Sequence, residues 1–86
     1  MEASAEHTRK VLAEYGRLSV SIDSLSDEDD LFVAGMTSHA ILNVMLALED
    51  AYDIEFPEPM LRRSTFCSVT AIEGAVRQLL AGGEAS

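Results

Sequence analysis

Apolar side chains recur at helical spacing in three separate stretches of the chain. In the first stretch they fall three and four residues apart, which predicts an amphipathic helix over about Ser4 to Arg17. The positions expected to face the core are Thr8, Val11, Leu12, Tyr15 and Leu18. Gly16 lies near the end of this pattern and is expected to weaken or end the helix, because glycine is a poor helix former.

The second stretch has the clearest helical pattern. Its predicted buried stripe consists of Ile41, Val44, Met45, Leu48 and Tyr52, with polar side chains on or near the opposite faces. Thr37 or Ser38 can cap the start of this helix, since a hydroxyl at that point accepts a hydrogen bond from a backbone amide of the first turn.

A third helix is predicted after Ser68, which is a plausible N-cap. Its core-facing positions are Val69, Ile72, Ala75, Val76, Leu79 and Leu80, and Gly82-Gly83 is expected to stop it. Before it, Pro57 and Pro59 forbid a regular helix, although Pro59 can start a short one that includes Met60 and Leu61.

These patterns predict an all-α fold of three main helices plus one short helix. A long polar loop over residues 19–35 joins the first two helices, and its scattered apolar residues are expected to pin it to the core. A chain of 86 residues forms a single domain, here 1–86. We expect the ordered core to cover about residues 4–81, with residues 82–86 frayed.

Charge limits the partners that such a domain can bind. Six basic and fifteen acidic residues give a net charge of -9, which repels nucleic acid and anionic membrane surfaces and attracts proteins with basic patches. The start of the chain has no cationic segment followed by an apolar one, so we expect a cytoplasmic protein. The single cysteine, Cys67, excludes an internal disulfide and is expected to be a small buried residue.

One side chain stands out as a candidate for chemistry. Ser38 lies where a glycine-bearing loop meets the second helix, so its hydroxyl is either an ordinary N-cap or a group that an enzyme modifies. No paired carboxylates and no nucleophile with a base can be assembled, so we expect no catalytic residue and no enzyme. No metal site is predicted either, because the acidic run 27–30 lacks the pattern of a calcium loop.

The sequence resembles the acyl carrier protein family. The residues that carry the resemblance are Asp30-Leu31-Phe32, Gly35, Ser38 and the run from Leu48-Glu49-Asp50-Ala51 to Tyr52-Asp53-Ile54. The resemblance implies an acyl-carrier-protein-like fold in which a phosphopantetheinyl transferase attaches 4'-phosphopantetheine from coenzyme A to Ser38. The terminal thiol of that arm then carries a cargo as a thioester, so the resemblance implies a phosphoprotein that is a substrate of other enzymes.

Local sequence points to one subgroup of this family. Thr37-Ser38-His39 replaces the Asp-Ser-Leu that is usual in carriers of fatty acids. The runs 34–38, 45–49 and 53–57 are similar to stand-alone bacterial aminoacyl carrier proteins, which receive a small amino acid from ligases related to class II aminoacyl-tRNA synthetases. The residues expected to contact such partners are Met36, Thr37, His39, Leu42, Asn43 and Met60. The two methionines are chiefly core candidates, but they flank the Ser38 region, and flexible thioether side chains suit a surface that meets several partners.

Two other functions stay open at this point. The arm could carry fatty-acyl or polyketide intermediates instead of an amino acid. Alternatively, the chain could be an unmodified acidic helical adaptor in which Ser38 only caps the helix. For the carrier we expect a monomer, because the domain must move from one enzyme to the next.

Overall fold

The computed structural model describes residues 5–82, which form three α-helices. They are α1 (Ala5–Tyr15), α2 (Ser38–Tyr52) and α3 (Val69–Leu80). Single turns of 3₁₀ helix lie at Ile22–Ser24, Glu58–Met60 and Arg63–Thr65, and no strand occurs between residues 5 and 82. The prediction of an all-α fold with three main helices is therefore confirmed.

The short helix predicted after Pro57 is a single 3₁₀ turn that ends at Met60, and a second turn follows it. The predicted cap of α3 is confirmed, since the Ser68 hydroxyl accepts a hydrogen bond from the Ala71 amide at 3.0 Å. The predicted start of α1 at Ser4 lies outside the described residues. The predicted fraying of residues 82–86 concerns residues that, apart from Gly82, also lie outside the described part of the chain.

Each helix contributes one apolar stripe to a single core. The largest fully buried side chains are Phe66, Leu12, Leu31, Leu48, Ile72, Val44, Val69 and Val76. Two of these, Leu31 and Phe66, come from the connections between helices, so the connections help to fill the core. Because protein interiors are close-packed, this arrangement fixes the three helices relative to one another.

Two predicted stripes are wrong in part. Tyr15 is 42% exposed, because α1 ends there and the chain turns away through Arg17, whose φ is +50°. On α2 the buried residues are Ala40, Val44, Leu48 and Tyr52. Ile41 and Met45 are only half-buried, because they line a surface groove that is described below.

The loop over residues 19–35 is fixed to the rest of the fold, as predicted. The Leu31 amide donates to the Cys67 carbonyl at 2.7 Å, and the Ser19 amide donates to the Ala34 carbonyl at 2.8 Å. Gly35 has a φ of +112°, and a Cβ there would clash with the Ser19 side chain and lie 2.9 Å from its backbone nitrogen. Glycine is therefore required where the loop turns into α2.

Arg9 of α1 ties the first part of this loop down. Its Nε donates to Asp27 Oδ1 at 2.9 Å, and its two terminal nitrogens donate to the carbonyls of Ile22 and Leu25 at 2.9 and 2.7 Å. One planar guanidinium thus satisfies three acceptors of a segment that has little regular structure of its own. Only arginine offers this fork of donors.

Arg9→Ala is expected to lower the free energy of unfolding by about 1 to 2 kcal/mol, since three charge-assisted hydrogen bonds are lost from a side chain that is partly exposed. Urea unfolding measures this change. Lys10→Ala, which alters the exposed neighbouring cation, is the control and should change the free energy by less than about 0.5 kcal/mol. Equal effects of the two variants would show that the hydrogen bonds of Arg9 contribute nothing.

Candidate functional site

Ser38 is exposed and is the first residue of α2. The preceding residue, Thr37, is the N-cap, and its hydroxyl accepts a hydrogen bond from the Ala40 amide at 3.1 Å. Within residues 5–82 the Ser38 hydroxyl forms no hydrogen bond. The structure therefore assigns the capping role to Thr37, and the hydroxyl of Ser38 is left accessible on a rigid helix.

Thr37→Ala is expected to destabilise the protein by about 0.5 to 2 kcal/mol, because the amide at the start of α2 loses its acceptor. Thr37→Ser keeps a hydroxyl at the same position and should retain most of the stability. Thermal unfolding of the two variants beside the wild type measures the difference. If Thr37→Ala were as stable as Thr37→Ser, the hydrogen bond to the Ala40 amide would not stabilise the helix.

The start of α2 also favours an anion on Ser38. The first turn of a helix presents backbone amides that lack intrahelical acceptors, together with the positive end of the helix dipole. The first turn of α2 contains no acidic residue that would compete for these amides. A phosphodiester on the Ser38 oxygen would therefore lie in a favourable field, and the site fits the group that the resemblance to carrier proteins implies.

An open groove of about 360 Å³ runs beside Ser38. Its apolar walls come from three parts of the chain: Phe32 from the loop before α2, Ile41, Leu42 and Met45 from α2, and Leu61 and Phe66 from the segment that precedes α3. Arg62 and Arg63 also line it. The volume lies in the range of sites that hold small organic molecules, which is about 300 to 1,000 Å³.

Of the six residues that were predicted to contact partners, four are accessible and two are buried. Leu42 is 48% exposed and His39 and Thr37 are exposed, while Asn43 is half-buried. These four residues lie on or next to the first turns of α2. They are accessible together with Ser38, as a recognition surface requires.

Met36 and Met60 need a correction. They are only 3% and 7% exposed, so their side chains belong to the core and offer almost no surface to a partner. The turn before α2 directs Met36 inwards, since its amide donates to the Leu31 carbonyl at 3.0 Å. The two methionines belong to the hydrophobic core and do not form part of the accessible surface of the site.

Sequence reasoning missed other residues of this region. Leu46 is 51% exposed and follows Leu42 by one helical turn, while Leu61 lines the groove and is 48% exposed. The sequence does indicate Leu46, because it lies four residues after Leu42, on the same face of α2, and outside the buried stripe. Arg62 and Arg63 could also have been noticed, as two adjacent cations in a chain with only six.

Cys67 differs from its predicted burial. Its thiol is at intermediate exposure and donates to the Ser64 carbonyl at 3.3 Å. Among the described residues no group of three or more histidine, cysteine or acidic side chains is placed to hold a metal ion. No helix of the described chain is long and apolar enough to cross a membrane.

Comparison with known proteins decides the family. Residues 11–73 match the family model described as a phosphopantetheine attachment site, and this range includes Ser38. The chain belongs to the phosphopantetheine-binding carrier family. It is also 45% identical over 78 residues to an aminoacyl carrier protein of Agrobacterium fabrum, which covers 91% of this chain and 94% of that relative.

Solved structures of similar proteins agree with this fold. A carrier protein from Agrobacterium tumefaciens, crystallised with an engineered Bradyrhizobium japonicum glycine:[carrier protein] ligase and AMP, superposes with a TM-score of 0.82 at 42% identity. The match covers 85% of this chain and 97% of that one. A solution structure of an Agrobacterium tumefaciens protein gives a TM-score of 0.76 at 42% identity, with 96% and 100% coverage. The predicted resemblance to aminoacyl carrier proteins is confirmed.

Proposed function

We propose that this carrier holds an aminoacyl group as a thioester on a 4'-phosphopantetheine arm attached to Ser38. The assignment to Ser38 rests on the different roles of Thr37 and Ser38 at the start of α2. Thr37 caps the helix, whereas the exposed hydroxyl of Ser38 has no structural task within the described chain. The similarity to an aminoacyl carrier protein supports an amino acid as the cargo.

The chain itself supplies position and no catalysis in this proposal. The arm contributes a terminal thiol, whose thioester keeps the amino acid carboxyl group activated for transfer. The Ser38 oxygen bonds to the pantetheine-bearing phosphorus of coenzyme A, the phosphoanhydride bond of coenzyme A breaks, and adenosine 3',5'-bisphosphate leaves. The hydroxyl proton of Ser38 passes to a base of the transferase. Rigid placement on the first turn of α2 is what a transferase needs in order to align this hydroxyl with coenzyme A.

The partners that follow are a phosphopantetheinyl transferase and an amino acid:[carrier protein] ligase. An apolar surface beside Ser38 suits their docking. It includes Leu42 and Leu61, which line the groove together with Ser38, and Leu46, which follows Leu42 by one helical turn. These are three of the six large apolar residues that the described chain exposes. Exposed apolar patches of this kind mark contact sites for proteins, and the acidic remainder of the chain speeds encounter with basic partners.

Leu42→Gln should raise the KM of the ligase for the modified carrier about tenfold, which corresponds to about 1.4 kcal/mol of lost contact. Tyr15→Gln is the control, because Tyr15 is similarly exposed but lies at the end of α1 and outside the groove. Steady-state kinetics with the carrier as the varied substrate measures both. An unchanged KM for Leu42→Gln would exclude Leu42 from the docking surface.

A loading assay tests the choice of cargo. The phosphopantetheine form is incubated with ATP and a glycine:[carrier protein] ligase, and each of several small amino acids is offered in turn. We expect a thioester-linked amino acid that hydroxylamine releases. Loading by enzymes that activate fatty or polyketide acids, with no loading by amino acid ligases, would instead favour the acyl carrier. Function that survives without Ser38 would favour the unmodified adaptor.

A further inference from the structure

In a chain with fifteen acidic residues, each of the six basic residues could pair with a carboxylate, but within residues 5–82 not all of them do. Of the six, Arg9 is bound to Asp27 and two carbonyls, and Arg77 pairs with Glu73. Arg62 and Arg63 form no ion pair with any acidic side chain of residues 5–82, and no acidic side chain lines the groove that they share with Ser38. Two cations without an acidic partner among the described residues therefore line the same groove as Ser38.

The backbone around these arginines is well supported. The Arg62 amide donates to the Met60 carbonyl at 2.9 Å, and the Phe66 amide donates to the Arg63 carbonyl at 3.1 Å. Met60 and Phe66 are both buried, so the two arginines extend from a short segment that is anchored in the core at each end. Their side chains start from fixed points.

The orientation of Arg63 is also restricted. Its guanidinium carbon lies 4.0 Å from the centre of the Phe32 ring, which is a cation–π contact. Stacking uses the face of the guanidinium and leaves the N–H groups at its edge free to donate. A phosphate oxygen is the acceptor that matches such an edge best, because the hydrogen bonds are then charge-assisted and can be bidentate.

We propose that Arg62 and Arg63 bind the phosphodiester of the arm and so lay the arm along the apolar groove. The proposal rests on the proposed function, because it requires the arm on Ser38. The phosphodiester is the one charged group of the arm and is bonded directly to the Ser38 oxygen. Beyond it, the methyl groups of the arm can contact Ile41, Met45 and Phe66 of the groove.

The consequence is a carrier whose arm has a preferred resting position on the protein. Holding the phosphate beside the groove shields it from the acidic surface and lowers the conformational freedom of the arm between visits to partner enzymes. A partner enzyme must then compete with Arg62 and Arg63 when it draws the arm out. Because both guanidiniums are exposed, the interaction is expected to weaken as the salt concentration rises.

The test compares the holo protein with a double variant, Arg62→Gln with Arg63→Gln. A matched control, Lys10→Gln with Arg17→Gln, removes the same two positive charges elsewhere in the chain. Intact mass first verifies that all three proteins carry the arm. Phosphorus NMR then records the chemical shift and the transverse relaxation of the phosphodiester at low and high salt, and proton–nitrogen spectra record the arginine side chains.

In the wild type and in the control, we expect attachment of the arm to shift the side-chain signals of Arg62 and Arg63. The phosphorus signal should relax as part of the folded protein at low salt and faster than in the double variant, and high salt should remove this difference. Identical phosphorus relaxation in the wild type and the double variant would overturn the proposal. Failure of the wild type to gain the arm at all would instead contradict the proposed function.

The same three proteins also distinguish binding of the finished arm from binding of coenzyme A during attachment, which is a second source of phosphate. If the double variant were modified more slowly by the transferase but had an unchanged phosphorus signal once modified, the arginines would bind coenzyme A during attachment and not the finished arm. That outcome would also overturn the proposal. Modification at the rate of the control, combined with loss of the restrained phosphorus signal, is the result that the structure predicts.

Discussion

Ser38→Ala is expected to lose phosphopantetheine attachment completely while its free energy of unfolding stays within about 0.5 kcal/mol of the wild type. Attachment is lost because the variant has no oxygen to form the phosphate ester. Stability is kept because Thr37, and not Ser38, accepts the hydrogen bond from the Ala40 amide. Intact-mass measurement after incubation with a transferase and coenzyme A gives the first result, and urea unfolding gives the second.

Ser68→Ala is the matched control for this variant. Ser68 also stands at the start of a helix, but its hydroxyl is the N-cap of α3 and accepts from the Ala71 amide. Ser68→Ala should therefore gain the arm normally and lose about 0.5 to 2 kcal/mol of stability. Ser38→Ala is expected to lose attachment and keep its stability, whereas Ser68→Ala is expected to keep attachment and lose stability. A general loss of structure cannot produce this pattern. Attachment to Ser38→Ala would show that another residue carries the arm.

Leu48→Ala is expected to lower the free energy of unfolding by about 2 to 5 kcal/mol. Leu48 is fully buried at the centre of the α2 stripe, and truncation leaves a cavity that a close-packed core cannot fill. Small domains have a total stability of only about 5 to 15 kcal/mol, so this single change removes a large share. Urea unfolding at constant transition slope measures the loss.

Leu46→Ala provides the comparison within the same helix. Leu46 is 51% exposed, so the same truncation removes little buried surface and should change stability by less than about 0.5 kcal/mol. Leu48→Met, which keeps the volume of the side chain, should lose less than about 1.5 kcal/mol and verifies the role of packing if Leu48→Ala does not fold. Equal losses for Leu46→Ala and Leu48→Ala would contradict the packing of α2.

The helices could be predicted because their signals are local. The recurrence of apolar residues at three- and four-residue steps gives the length of α2, and hydroxyl residues mark the starts of α2 and α3. The choice between Thr37 and Ser38 as the cap could not be made from sequence. Both residues suit the position, and only the backbone conformation decides which hydroxyl faces the Ala40 amide.

Features that depend on contacts between residues far apart in the chain could not be predicted from the sequence. The three hydrogen bonds of Arg9 join residues that are thirteen to eighteen positions apart, and no local pattern announces them. Met36 and Met60 were predicted partly from their position beside Ser38, but packing directs both into the core. The groove is likewise formed by segments from different parts of the chain.

From the sequence, the attachment residue of the candidate site could be predicted, but not the groove around it. The resemblance to carrier proteins identified Ser38 and implied the arm, and the structure added the groove and the pair of arginines beside it. Charge alone predicted an acidic protein that avoids nucleic acid. It could not show that two of the six cations lie together at the single place where a phosphate is expected.

The central claim, that Ser38 carries an aminoacyl group through a phosphopantetheine arm, is tested most directly by stepwise intact-mass measurement. The wild type is treated first with a phosphopantetheinyl transferase and coenzyme A, and then with an amino acid:[carrier protein] ligase, ATP and glycine. We predict two successive gains, of the arm and then of the amino acid, with fragmentation locating the first on Ser38 and hydroxylamine reversing the second. No first gain under conditions that modify a control carrier, or a first gain located on another residue, would contradict the claim.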